Sequence, residues 1–170
     1  MTSLLARKPT VYLTRSYDFS ASHRLYNPTF TDEDNWSVFR QCNNPNGHGH
    51  NYELEVTLSG IPDLENGMIA DLTVLDAWIQ NAVILPMDHK HLNMDVPFLQ
   101  GLIPTAETIV VACWQELTRT QPAHNLPEST VLYRLRLKES KNNFAEYFGK
   151  NTPVLPQLSP QSDFPKGLSR

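Results

Sequence analysis

The stretch that most constrains this 170-residue chain is a strand-like segment that opens with two histidines. His48 and His50 stand two residues apart, and apolar residues alternate with polar ones from Tyr52 to Leu58. That alternation predicts a strand from about His50 to Ser59, and its period of two places both imidazoles on one face. The glycines that flank the histidines leave backbone room for a crowded site beside this strand.

A third histidine, His23, ends an earlier strand-like run from Val11 to Ala21. Antiparallel pairing of the two strands would bring His23 beside His48 and His50. Three neutral imidazoles that converge on one point suit Zn²⁺, and three protein ligands leave a fourth position open for water or substrate. Two histidines alone are more often a surface pair or core residues. The third histidine and the Gly-His-Gly-His context favour a metal site.

Composition and charge limit the classes of partner. A net charge of −4 argues against general binding of nucleic acid or anionic membranes, which needs a basic surface. The start of the chain has no apolar core of signal-peptide length, and no later run is long enough to span a bilayer. The two cysteines, Cys42 and Cys113, make no disulfide framework. We therefore expect a cytoplasmic, reduced protein in which Cys42 is a free thiol.

The hydrophobic pattern predicts four strands and two helices in the order ββααββ. The first helix opens at Thr73 with Asp76 as a partial capping box, and it ends at Pro86. The second helix begins at Thr105 and carries Cys113 on its buried stripe. The strands are predicted over residues 11–21, 50–59, 130–138 and 144–148.

These elements predict an α+β fold in which a four-stranded antiparallel sheet carries two helices on one face. Natural proteins rarely leave sheet edges unprotected, so we expect the edges of neighbouring subunits to pair. Residues 27–47 are predicted as a long functional loop rather than a tight hairpin. We expect one domain over residues 11–149, an N-terminal tail over 1–10 and a Pro/Ser-rich C-terminal tail over 150–170.

Cys42 lies shortly before His48, and its spacing alone allows two interpretations. Cys42 is either a fourth zinc ligand that closes a structural site, or a thiolate base or nucleophile beside the metal. The other polar candidates have ordinary interpretations when each is taken by itself. Asp88 and His89 fit a solvated loop, Glu107 fits a helix-dipole partner and Glu139 fits a surface charge.

Taken together, four blocks of the sequence resemble the 6-pyruvoyl tetrahydropterin synthase family. They are Phe19-Ser-Ala-Ser-His23-Arg-Leu, Cys42-Asn-Asn-Pro-Asn-Gly-His48-Gly-His50-Asn-Tyr, Asp88-His89-Lys90 and Pro104-Thr-Ala-Glu107. The blocks follow the family's order and spacing over about residues 11–149, and their joint match is highly specific. The chain departs from the family in the tail beyond about Asn151 and in Glu146, where an apolar alternation is expected.

The resemblance implies the tunnelling fold, in which ββααββ subunits join into a trimeric barrel and two trimers stack into a homohexamer. It implies a catalytic Zn²⁺ held by His23, His48 and His50. The implied reaction converts 7,8-dihydroneopterin triphosphate to 6-pyruvoyl tetrahydropterin with elimination of triphosphate, as in tetrahydrobiopterin biosynthesis. The expected enzyme is thus a carbon–oxygen lyase acting on a phosphate ester.

The resemblance also implies roles for the remaining candidates. Cys42 abstracts protons, and Asp88 and His89 assist it from a neighbouring subunit. Glu139 anchors the pterin through its N–H groups, and Glu107 is a second acidic residue that lines the pocket. The triphosphate needs local cations, for which three basic residues are unranked candidates: Arg24, Lys90 and Lys138.

Three alternatives stay open. Within the same fold, the chain could be the 6-carboxy-tetrahydropterin synthase of the queuosine pathway, whose spacing between cysteine and histidines is typically shorter. A related enzyme would cleave the side chain to a 6-hydroxymethyl product. From a different class, a non-catalytic, zinc-stabilised binding module would use Cys42 as its fourth ligand.

Overall fold

The computed structural model describes residues 8–121 and 126–149, so most of both predicted tails lies outside the described residues. Five strands form one sheet in the order β3-β1-β2-β4-β5. The strands are β1 (Val11–His23), β2 (His48–Gly60), β3 (Lys90–His91), β4 (Val131–Ser140) and β5 (Asn143–Tyr147). Neighbouring strands are antiparallel except β1 and β3, which are parallel.

The helices are α1 (Asp32–Phe39), α2 (Leu72–Ile79), α3 (Leu85–Met87) and α4 (Ala106–Thr120), with a π turn at Gln80–Ile84 and 3₁₀ turns at Arg40–Asn43 and Pro97–Leu99. The segment from α2 to α3 and helix α4 pack on one face of the sheet over a continuous core, whereas α1 adjoins the 3₁₀ turn at Arg40–Asn43. The predicted α+β order ββααββ is confirmed, with α1 and β3 as additions to it. None of the helices in the described ranges combines the length and apolar composition that a bilayer crossing needs.

The core lies between the sheet and the helices. Leu54 and Val56 of β2 are fully buried, as are Leu75 and Trp78 of α2. Cys113 of α4 is also fully buried, as its place on the apolar stripe predicts. Truncation of a side chain in this core, such as Leu54→Ala, would cost about 2–5 kcal/mol of unfolding free energy.

The prediction of four strands misses β3. This strand has only two residues, too few for a detectable alternation, and it pairs in parallel with Ala21 and Ser22 at the end of β1. Backbone bonds on either side extend the contact, because His89 N donates to Ser20 O at 2.6 Å and Leu92 N donates to Ser22 O at 2.8 Å. The segment from α2 to α3 thus returns the chain to the edge of β1 beside His23.

The prediction of a loop over residues 27–47 misses α1. Thr31 caps this helix by accepting from Asp34 N, and three acidic residues occupy its first turn. Asn35, which is fully buried, holds the preceding turn through bonds from Asn27 N to Oδ1 and from Nδ2 to Asn27 O. A threonine followed by acidic residues is a helix-start signal that the sequence does contain.

The predicted ends of the first long helix are also wrong. Asp71, not Thr73, is the N-cap, and Asp76 instead accepts hydrogen bonds from Arg15 and Tyr17 of β1. Pro86 does not end the helix but lies within α3. Proline is disfavoured in a helix interior by its missing N–H and by its clash with the carbonyl four residues earlier, but Pro86 lies in the first turn of α3, directly after the π turn, where proline is tolerated.

Glu146, which interrupts the expected apolar alternation of the last strand, lies on the sheet face opposite the core. It is paired in register with Arg136 of β4. Its carboxylate accepts from Arg134 Nη1 at 3.1 Å, and Arg134 also bonds Glu55 of β2. A cross-strand charge network therefore explains an acidic residue at this position.

Candidate metal centre and active site

The three histidines meet where β1 and β2 pair. His23 is the register partner of His48, and Ala21 is the partner of His50. Residues directly opposite each other on paired strands point to the same face, and so do residues two positions apart on one strand. All three imidazoles therefore project to the same side of the sheet. One potential ligand atom from each histidine lies within 4.8 Å of the other two. The predicted convergence of these residues is therefore present in the fold.

Neighbouring groups fix the orientation of His23. Its ring is fully buried, and Nδ1 lies 2.8 Å from the carbonyl oxygen of Pro104, to which it donates. The hydroxyl of Tyr52 lies 3.4 Å from the same Nδ1. This arrangement leaves the lone pair of His23 on Nε2, which lies 3.0 Å from Nε2 of His48. Such an outer hydrogen bond is typical of metal-binding histidines.

Gly47 allows the two strands to approach closely here. Its φ of +71° is a conformation that side chains rarely adopt, and a Cβ atom there would lie 2.8 Å from the carbonyl oxygen of His23. Gly49 is under no such constraint, because its added Cβ would make an ordinary contact of 3.5 Å with Ala21 O. The predicted need for backbone room therefore holds for Gly47 and not for Gly49.

The environment of the cluster keeps the imidazoles of His23 and His48 neutral. Burial lowers the pKa of His23 to about 4, and the adjacent His48 and His50 also lower it. Burial likewise lowers the pKa of His48, with a further contribution from His50. Neutral imidazoles have free lone pairs at neutral pH, which a metal ion needs. The geometry of the three histidines and the neutral state of His23 and His48 thus fit a bound divalent metal ion.

Glu139 is the acidic residue of this cluster. Its Oε1 lies 3.6 Å from Nε2 of His23 and 4.0 Å from Nε2 of His50. The side chain is only 16% exposed, and its Oε2 accepts from Asn143 Nδ2 at 2.7 Å. The ordinary interpretation of Glu139 as a surface charge is therefore wrong. The carboxylate lies beside the three-histidine cluster.

Cys42 lies in the 3₁₀ turn that precedes β2, and its side chain is half-buried. Burial raises the pKa of the thiol, and the charge of Glu139 raises it further. Among the described residues, the group of ligand atoms that converge within 4.8 Å consists of the three histidines and does not include Cys42. This geometry favours a three-ligand site with the thiol beside it over a closed four-ligand site.

Asp88 and His89 form a pair immediately before β3. Asp88 Oδ1 lies 2.9 Å from His89 Nδ1 and also accepts from Ser20 N at 2.9 Å. The bond from Ser20 is the main cause that lowers the pKa of Asp88, followed by the bond from His89. The His89 side chain is 81% exposed and its φ is +57°. The adjacent residues do not point apart; they form one hydrogen-bonded unit.

An open cavity of about 460 Å³ is lined by His89 and by His50 of β2. Glu107 lies elsewhere, in the first turn of α4, where its side chain is exposed. It follows Pro104, whose carbonyl accepts from His23, but it is not part of the converging ligand group. The structure thus brings His23, His48, His50 and Glu139 together with Cys42 nearby, whereas the Asp88–His89 pair and Glu107 lie outside this group.

Sequence reasoning missed two contacts of the cluster. The Pro104 carbonyl has no signature in the sequence, because any residue supplies a backbone oxygen. Tyr52 could have been found, since it continues the alternation of His48 and His50 and stacks on Phe19 at a centroid distance of 4.9 Å.

Comparison with known proteins identifies the family of this chain. The sequence profile described as 6-pyruvoyl tetrahydropterin synthase matches residues 12–150. A Homo sapiens 6-pyruvoyl tetrahydrobiopterin synthase is 40% identical over 144 residues, which cover 85% of this chain and 95% of that protein. A Drosophila melanogaster protein of the same name is 36% identical and covers 85% and 83% of the two chains.

A solved structure agrees as well. The Caenorhabditis elegans 6-pyruvoyl tetrahydropterin synthase superimposes with a TM-score of 0.75 at 33% identity, covering 85% of this chain and 99% of that one. The profile match spans most of the chain, and the relatives match over most of their own length. The chain therefore belongs to the 6-pyruvoyl tetrahydropterin synthase family.

Proposed function

We propose that this chain is a zinc-dependent lyase that converts 7,8-dihydroneopterin triphosphate to 6-pyruvoyl tetrahydropterin and releases triphosphate. The observation that carries the proposal is the cluster of three histidines with the Glu139 carboxylate beside it. Family membership supplies the reaction class.

His23, His48 and His50 would hold the zinc ion. Three nitrogen ligands leave a position for a substrate oxygen, as catalytic zinc sites require. When bound, zinc supplies Lewis acidity toward the substrate's side-chain hydroxyls and a positive charge that favours a nearby thiolate. The hydrogen bond from His23 Nδ1 to Pro104 O holds the tautomer that directs Nε2 to the metal.

Cys42 acts as the base that removes protons from the substrate side chain. Its half-buried position limits competition from water, and the turn that carries it leads directly into β2 and its histidines. Because burial and Glu139 raise the pKa of the thiol, Cys42 of the isolated chain is protonated at neutral pH. The thiolate of Cys42 therefore forms only in a site that holds the metal ion.

Asp88 and His89 relay protons for Cys42. Asp88 accepts the Nδ1 proton of His89 and so leaves Nε2 of that ring free to accept or donate a proton. The high exposure of His89 in the single chain suits a group that reaches into a neighbouring subunit's site. We propose that these two residues act across a subunit boundary.

Glu139 and Glu107 recognise the pterin. Each carboxylate oxygen has two lone-pair sites, so the bond from Asn143 to Glu139 leaves capacity for two pterin N–H groups. Glu107, which is exposed at the start of α4, is the second acidic residue of the pocket in this proposal. Glu107 lies outside the histidine cluster, which fits a pterin contact that forms only when subunits assemble.

We propose a homohexamer of two stacked trimers, located in the cytoplasm. At one end of the sheet, Tyr12 and Tyr133 are 59% and 39% exposed although their rings pack at 4.5 Å, and Phe148 adjoins them. This exposed aromatic cluster, which joins residues of β1 and β4 across β2, is a candidate subunit interface. The free thiols of Cys42 and Cys113 are compatible with a reducing compartment.

The test is release of inorganic triphosphate from 7,8-dihydroneopterin triphosphate by the zinc-loaded protein. We expect release to stop after chelation and to return with added Zn²⁺. His50→Ala should abolish it, whereas the control Glu65→Gln, in the exposed turn that follows β2, should retain it. Undiminished release by a protein from which all metal has been removed would contradict the proposal.

A further inference from the structure

Arg24 directly follows the ligand candidate His23, but its side chain turns toward the loop that carries Cys42. Its Nε donates to the carbonyl oxygen and to Oδ1 of Asn43, both at 3.1 Å. Nη2 donates to the same Oδ1 at 2.9 Å. The guanidinium also lies over the ring of Tyr26, 4.3 Å from its centroid. The guanidinium of Arg24 is therefore hydrogen-bonded to Asn43, the residue that follows Cys42.

The main chain around Arg24 is fixed as well. Asn93 accepts from Arg24 N through Oδ1 and donates to Arg24 O through Nδ2, each at 2.9 Å. The next residue, Leu25, donates its N–H to the carbonyl oxygen of Cys42 at 2.8 Å. The turn that carries Cys42 is thus bonded through side chain and backbone to the segment that extends β1.

We propose that Arg24 is a positioning residue that sets the place of Cys42 relative to His23, rather than a contact for the substrate triphosphate. His23 ends β1, Arg24 is the next residue, and its bonds to Asn43 connect this strand end to the Cys42 turn. Positional control matters here, because a base misplaced by about 1 Å costs on the order of 100-fold in rate. The inference rests on the proposed role of Cys42 as the base.

The two roles of Arg24 respond differently to lysine. A lysine ammonium is a point charge that serves well at a phosphate, but it does not reproduce the planar fork of a guanidinium. Arg24→Lys would therefore preserve a triphosphate contact and lose the geometry that holds Asn43. Arg24→Met removes both. The matched control is Arg40→Met, which removes an exposed positive charge close to Cys42 from the same loop.

The experiment measures kcat, KM, zinc content and the rate at which iodoacetamide alkylates Cys42 in the zinc-loaded protein. Cys113 is fully buried, so native alkylation reports Cys42, and peptide mass confirms the site. For both Arg24→Met and Arg24→Lys we expect kcat to fall by about tenfold or more, with KM and zinc content unchanged. We expect alkylation to become about threefold faster or more, because the half-buried thiol gains exposure. Arg40→Met should match the wild type.

A rise in KM of about tenfold in Arg24→Met, with normal kinetics and alkylation in Arg24→Lys, would overturn the proposal and assign Arg24 to the triphosphate. Unchanged alkylation in both variants would also overturn it. If the wild-type protein does not turn over the pterin triphosphate, the proposed function fails. The alkylation comparison still decides whether Arg24 positions Cys42, and a melting temperature for each variant separates local loosening from a failure to fold.

Discussion

Oε1 of Glu139 lies 3.6 Å from Nε2 of His23, the most buried imidazole of the metal-ligand cluster. Burial lowers the pKa of His23 to about 4, and the negative charge of Glu139 opposes this shift without reversing it. The carboxylate thus adjoins a neutral ligand at the edge of the site. From this place it can bind a cationic or N–H-rich edge of a substrate held beside the metal.

Glu139→Gln should lower kcat/KM by about 2–4 kcal/mol in transition-state stabilisation. The amide keeps the size of the side chain but replaces one acceptor with a donor that faces the pterin N–H groups. Steady-state kinetics and zinc analysis of the variant provide the measurement, with Glu128→Gln on an exposed loop as the control. An unchanged kcat/KM would show that Glu139 does not bind the substrate.

Acidification should destabilise the metal-free protein through His23. Its pKa falls from an ordinary value of 6.5 to about 4 on folding, so between these values the unfolded chain binds a proton that the folded chain does not. Stability is therefore lost as the pH falls. Between about pH 7 and pH 5, we expect a decrease in unfolding free energy on the order of 2 kcal/mol.

Urea denaturation of metal-free wild type and His23→Gln at these two pH values tests this expectation. The variant should show a smaller pH dependence than the wild type. Asp76 and Asp88, whose pKa values are lowered from about 3.8, lose their contributions at lower pH than this window. Equal pH dependence in the two proteins would argue against a neutral, buried His23.

Cys42→Ser should retain zinc and fold normally while turnover falls about 100-fold or more, because a serine hydroxyl is far too weak an acid to form the required anion. Cys113→Ala controls for the loss of a thiol elsewhere. Metal content, melting temperature and kcat are measured together. Loss of zinc with loss of stability would instead identify Cys42 as a fourth ligand, and normal turnover with zinc bound would contradict both interpretations.

The site was predictable where it depends on strand geometry. The period of two placed His48 and His50 on one face, and antiparallel pairing of β1 with β2 then brought His23 opposite His48. The apolar stripes likewise identified the two long helices and the burial of Cys113. Each of these inferences uses a local sequence period, because the backbone geometry of a strand or helix places residues with that period on one face of the element.

Contacts between distant segments were not predictable in this way. The hydrogen bond from His23 to the Pro104 carbonyl depends on where the loop before α4 passes, and a backbone oxygen leaves no mark in the sequence. The two residues of β3 are too few to form a pattern. Pro86 lies in the first turn of α3 because a π turn precedes it, and local propensity does not indicate that turn.

Sharing of the site between subunits predicts complementation. Cys42→Ala and His89→Ala should each be inactive alone and should regain activity when mixed under conditions of subunit exchange, because some sites then receive both intact residues. Light scattering should report a hexamer for both. Since His50 and His89 line one cavity of the same chain, failure to recover activity despite proven exchange would place His89 in its own subunit's site.

The most direct test of the account is the mass of the pterin formed when the purified, zinc-loaded protein is incubated with 7,8-dihydroneopterin triphosphate. We predict 6-pyruvoyl tetrahydropterin, formed together with one equivalent of inorganic triphosphate and without a nicotinamide cofactor. A 6-carboxy-tetrahydropterin or 6-hydroxymethyl product, or substrate recovered unchanged, would contradict the proposed reaction.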